Sequence, residues 1–158
     1  MPGTPGAAFD ALVELIARLR SPTGCPWDRE QTHETLKSTT LEEAYEVAEA
    51  IDQGDEALAG ELGDLLLQVV FHSQIAAEEH RFTVTNVIQE VSDKMVRRHP
   101  HVFGNDSVED SAEVLRNWEA MKAAERTSSG AQAPGRSMLD SVSRSFPAVM
   151  EAFQMTTK

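Results

Sequence analysis

The segment ELGDLLLQVVFH, Glu61 to His72, places two carboxylates three residues apart at the head of an apolar run. At about 100° per residue, Glu61 and Asp64 share a helix face with Gln68 and His72. Upstream, LEEAYE supplies Glu42, Glu43 and Glu46, related by three and four residues and so grouped on one flank of a helix. Carboxylates brought within a few ångströms raise one another's pKa, and burying them without partners costs more. A hard divalent cation removes both penalties, and Mg²⁺ takes oxygen ligands while keeping waters for substrate phosphates. Glutamates along a helix also read as a solvated face, and LEEAYE alone is open to either reading. ELGD fits that second reading less well, because its helix is expected to start near Asp55, too early for these acids to serve its N-terminus. The two clusters together, one short turn apart, predict a metal site. A di-iron centre fits poorly, since di-iron bundles use Glu-x-x-His where this chain has Glu-x-x-Asp. His72 and Gln68 read as structural residues or as a second layer below the acids.

A second constellation is basic and aromatic. DKMVRRHPHVFG holds Lys94, Arg97 and Arg98 within five positions, at spacings that let Lys94 share a face with either arginine. In an acidic chain this patch either pairs with the carboxylates or binds an anion such as a polyphosphate, and both readings stay open. NWEAMK sets Trp118 four residues before Lys122. A ring beside an ammonium suits a nucleobase and its phosphate, and it equally suits a core tryptophan with a lysine stem laid across it. Cys25, in GCPWD, has no cysteine partner for zinc and no Cys/His/Asn arrangement that would make it a nucleophile.

These residues need elements to hold them, and the hydrophobic spacing predicts helices throughout. FDALVELIARLR (Phe9 to Arg20) places Phe9, Leu12, Val13, Ile16 and Leu19 on one face. SPTGCPWDREQTHETLKS breaks that pattern with two prolines and a glycine and reads as a long functional loop. TTLEEAYEVAEAIDQ is a helix with Thr40 and Glu43 spaced as a capping box and Leu41, Ala44, Tyr45, Ala48 and Ile51 as its buried stripe. Gly54–Asp55 is a turn between antiparallel helices, followed by helices over about 56–80 and 83–98. HPHVFGNDS is a loop, and VEDSAEVLRNWEAMKAAER is a helix with Ser107 or Asp110 as its cap. No useful β-alternation and no internal repeat is visible. The expected fold is all-α, a four-helix-bundle core with an extra N-terminal helix and a short C-terminal one. The expected organisation is a disordered N-terminus over 1–6, a catalytic domain over 7–126, a flexible linker over 127–136 and a tail over 137–158.

Composition narrows the class. One hundred and fifty-eight residues make one domain with a real core. A net charge of −12 disfavours a nucleic-acid surface. No apolar run reaches the about 18 residues of a membrane span, and a single cysteine excludes an intrachain disulfide, so a reducing cytoplasm is expected.

The order GCPWDREQTH, TLEEAYEVAEAI, ELGDLLLQVVFH, SDKMVRRHPHVFG, NWEAMK resembles the MazG family of nucleoside triphosphate pyrophosphohydrolases, from about Leu19 to Glu125. Glu-Glu-x-x-Glu followed by Glu-x-x-Asp is shared across the wider all-α pyrophosphohydrolase superfamily, while GCPWD and RRHPHVFG are specific to MazG-like members. The resemblance implies hydrolysis of nucleoside triphosphates to NMP and pyrophosphate, dependent on Mg²⁺ with Mn²⁺ as a substitute, by a homodimer or higher oligomer. It places metal ligands at Glu43, Glu46, Glu61 and Asp64, and substrate contacts at Lys94, Arg98, Trp118 and Lys122, with Arg97 beside them. Glu42, the acid of LEEAYE left outside that ligand set, is the candidate proton acceptor. Stacking on Trp118 implies broad base tolerance, in keeping with housecleaning of the nucleotide pool. Many family members carry two such domains and this chain shows one, so a regulatory or oligomerisation module that binds nucleotide without turnover stays as the alternative.

Overall fold

The computed structural model describes residues 3–128. Among them are seven helices and no strand: α1 (Pro5–Leu19), α2 (Pro26–Glu30), α3 (Lys37–Gln53), α4 (Asp55–Glu78), α5 (Val84–Arg98), α6 (Pro100–Phe103) and α7 (Ser111–Ser128). The all-α expectation holds. The chain forms two compact units, Met1–Asp93 and Lys94–Lys158, so α5 gives its last five residues to the second. Of the expected linker and tail, only Thr127 and Ser128 fall within the described residues, where they close α7.

In the first unit α1 starts four residues ahead of its apolar pattern, so residues 4–6, expected to be disordered, form its cap and first turn. Thr4 Oγ1 accepts the N–H of Ala7 at 3.2 Å, and Pro5 takes the first helical position, where its missing N–H costs nothing. Phe9, Leu12, Val13, Ile16 and Leu19 pack, as their spacing predicts, around Val70, Phe71 and Ile75 of α4 and Leu36. Each such side chain removed from water contributes about 1.5–3 kcal/mol.

The expected long loop is better ordered than its composition suggests. α2 makes a turn of helix within it, and α3 begins at Lys37, before Thr40. Thr40 is therefore not a cap: its hydroxyl donates to Leu36 O at 3.0 Å from inside the helix. Gly24 is required where the loop folds back on α1, because a Cβ there would lie 2.1 Å from Leu19 O. Arg20 fixes the fold of this segment. Its side chain is 7% exposed and donates to Asp28 O (2.5 Å), Gln31 O (3.1 Å) and the Glu78 carboxylate (2.8 Å), while its guanidinium lies 5.4 Å from the Phe71 ring centre.

The expected buried stripe of α3 is corrected. Leu41 is exposed, as are Tyr45 (51%) and Ile51 (63%). The face that meets α4 instead runs through Thr40, Glu43, Val47 and the fully buried Ala50. In the second unit, HPHVFGNDS contains the short α6, and Asp110 rather than Ser107 caps α7, its Oδ1 accepting the N–H of Glu113 at 2.7 Å.

Candidate metal and nucleotide site

Gly54 makes the acidic site possible. Its φ of +112° is closed to most L side chains, and it serves as C-cap of α3 and N-cap of α4, folding the two into an antiparallel hairpin. The register is set where Thr40 Oγ1 meets His72 Nε2 at 3.0 Å. Nearer Gly54, Glu43 and Glu46, one and about two turns beyond Thr40 on α3, approach Glu61, three turns before His72 on α4. One carboxylate oxygen from each of these three lies within 4.8 Å of the other two. The Glu43 carboxyl is pushed above its ordinary range, first by partial burial and then by the charges of Glu46, Asp64 and Glu61. Asp64 is thus close enough to act electrostatically, though it is outside the tight trio. Glu42 is exposed and also outside it. Three carboxylates from two helices make an all-oxygen donor set, which suits a hard divalent cation.

Behind the acids runs a hydrogen-bonded chain that sequence spacing did not disclose. Thr40 Oγ1 gives its proton to Leu36 O, so it accepts from His72 Nε2–H. His72 Nδ1 must then accept from His33 Nδ1–H at 2.8 Å, and His33 Nε2 accepts from the Arg81 guanidinium. The imidazoles stack within 7° of parallel, their centres 5.1 Å apart. This chain closes only with both rings neutral. Partial burial, and next the neighbouring His33, push the His72 pKa down.

The basic and aromatic residues gather in the second unit. Arg97 and Arg98 both pair with Glu125, at 2.8 and 2.5 Å. Hydrogen bonds from Arg98 and then Arg97 pull the Glu125 carboxyl down to about 2. The Arg98 guanidinium sits 5.1 Å from the Trp118 ring centre, and the His99 ring meets Trp118 edge-on at 5.2 Å. Trp118 is half-buried and forms, with Val114 and Leu115, an apolar strip on α7. Lys122 pairs with Glu119 at 2.9 Å, and Lys94 is half-buried. Arg20, His33, Arg81 and Glu125 were not foreseen as parts of these networks, since their partners lie 27 to 58 residues away in sequence.

Residues 31–103 match the family model described as the MazG nucleotide pyrophosphohydrolase domain. The chain is 52% identical over 146 residues to the nucleoside triphosphate pyrophosphohydrolase of Escherichia coli K12, covering 91% of this chain and 54% of that protein. It is 50% identical over 122 residues to the nucleoside triphosphate pyrophosphohydrolase/pyrophosphatase MazG of Thermotoga maritima, covering 77% of this chain and 46% of the relative. The chain thus spans about half the length of these relatives. A crystal structure of a mazG-related protein from Thermotoga maritima superposes with a TM-score of 0.59 at 30% identity, over 72% of this chain and 98% of that one.

Proposed function

The chain belongs to the MazG family, and we propose on that premise that it hydrolyses nucleoside triphosphates to NMP and pyrophosphate. The observation that carries the proposal is the approach of Glu43, Glu46 and Glu61 to within 4.8 Å, with Asp64 acting on Glu43. These four hold the cation, Mg²⁺ in the first instance with Mn²⁺ as substitute. Such an ion lowers the pKa of bound water and polarises the phosphoryl group under attack. Glu42, one turn before Glu46 and exposed to solvent, accepts the proton of the attacking water. Lys94, Arg97 and Arg98 offset the charge that develops on the leaving pyrophosphate. For that role Arg97 and Arg98 exchange Glu125 for substrate oxygens. Trp118 stacks on the base, and Lys122 is held beside it by its helical position. Stacking of this kind tolerates all bases, which suits a housecleaning role in the cytoplasm.

The exposed apolar residues of α3 and α4 support a homodimer. Leu41 and Tyr45 on α3, and Leu62, Leu66 and Val69 on α4, are too numerous on two neighbouring helices for a solitary surface. The capture of both arginines by Glu125 favours one second reading, a nucleotide-binding module without turnover. Product analysis on the four dNTPs and four NTPs separates the two. NMP and pyrophosphate in equal amounts are expected, whereas nucleoside diphosphate and phosphate, or binding without product, would refute hydrolysis at the α-phosphorus.

A further inference from the structure

Gln68 lies on the stripe of α4 that begins with Glu61 and Asp64 and ends with His72. It is 6% exposed, and its Oε1 is the buried side-chain polar atom that finds no hydrogen-bond partner among the described residues. An orphaned buried acceptor is destabilising, so a residue kept in this state calls for a ligand or water that satisfies it. Its position narrows what that donor is. Thr40 faces His72 across the hairpin. Gln68 is one turn from His72 towards Asp64, and Glu43 is three residues from Thr40 in the matching direction. Gln68 therefore lies at the level of Glu43, one turn from the histidine chain. His72, one turn along α4, and Thr40, which meets it across the hairpin, are already engaged: Thr40 bonds Leu36 O and His72, and His72 uses both ring nitrogens. The carboxylate site begins one turn further along the same stripe, and its acids, ionised to hold a cation, are acceptors only and offer Gln68 Oε1 nothing.

We propose that Gln68 is a positioning residue of the metal site, its Oε1 taking the hydrogen bond of a water held in the cation's shell. The inference rests on the proposed metal site and adds the donor that its carboxylates lack. Gln68→Met keeps length and volume and removes the acceptor. Without metal the orphaned oxygen is gone, so the melting temperature of Gln68→Met is expected at or above wild type. The dissociation constant for Mg²⁺ or Mn²⁺ alone, without nucleotide, is expected to rise about tenfold, as for loss of other residues that orient a metal shell. Titration calorimetry and Mn²⁺ paramagnetic resonance read this directly. Ile75→Val, in the core of α4 away from the acids, is the control for general loosening. A Gln68→Met affinity within twofold of wild type would overturn the proposal, as would a loss no larger than that of Ile75→Val at equal melting temperature. Absence of metal binding by the wild type would instead refute the metal site itself.

Discussion

At the scale of single residues, the acidic trio stores repulsion that the proposed cation would relieve. Glu43→Gln removes one of the converging charges, so the metal-free variant is expected to melt at or above the wild-type temperature and to lose the upward shift that Mg²⁺ gives the wild type. Thermal scans with and without Mg²⁺ check this, and a wild type indifferent to metal would contradict it. Trp118 carries a separate prediction. If it stacks on the base, Trp118→Leu raises KM for nucleotides about tenfold with little change in kcat. A loss confined to kcat would assign the ring to support of Arg98 and His99 instead. LEEAYE alone reads equally as a solvated face, and the convergence of Glu43, Glu46 and Glu61 was legible only from the two acidic motifs together, one short turn apart on consecutive helices. The ion pairs of Arg97 and Arg98 were not, because nothing in local spacing connects them to Glu125 on a later helix.

At the scale of elements, two polar devices hold the loop before α3. Arg20 is the first. With its guanidinium buried, Arg20→Met strips Gln31 O of its Arg20 donor, leaves Asp28 O only the Gln31 N–H, unpairs Glu78, and is expected to cost about 3 kcal/mol or more in denaturant unfolding. Glu78→Gln, at the more exposed end of the same contact, costs less. The histidine chain is the second device, and it makes stability depend on pH. The folded-state pKa of His72 lies below its ordinary 6.5, so the unfolded chain binds the proton more readily. Stability is therefore full above about pH 6.5 and falls as pH drops below it. Unfolding midpoints measured between pH 7.5 and 5.5 are expected to decline for wild type and to decline less for His72→Asn. Equal slopes would remove His72 from this account. The α1 face could be read from periodicity because that helix packs by one stripe on its own unit. The α3 face was misread because two stripes compete on it. The more apolar stripe stays exposed, while Thr40, Glu43, Val47 and Ala50, which pattern alone ranks lower, meet α4.

At the scale of the whole molecule, the exposed stripe belongs with the proposed assembly. Light scattering is expected to give the mass of a dimer, and Leu66→Lys, which puts a charge on the apolar face of α4, a monomer with unchanged helix content. A wild-type monomer would contradict the assignment. The all-α class and the order of the site segments were readable from sequence, since helical period and glycine punctuation are local signals. Pairings such as His33 with His72, or Arg20 with Glu78, form only once the chain has folded. The central claim is that the acids of ELGD hold the metal for cleavage of a nucleoside triphosphate. Its most direct test is pyrophosphate release, titrated with Mg²⁺, for wild type and Glu61→Gln. The account predicts release by wild type only with Mg²⁺, a loss of roughly a hundredfold or more in Glu61→Gln, and no fall in the metal-free melting temperature of the variant. Release that persists in a chelator, or that Glu61→Gln sustains at the wild-type rate, would contradict it.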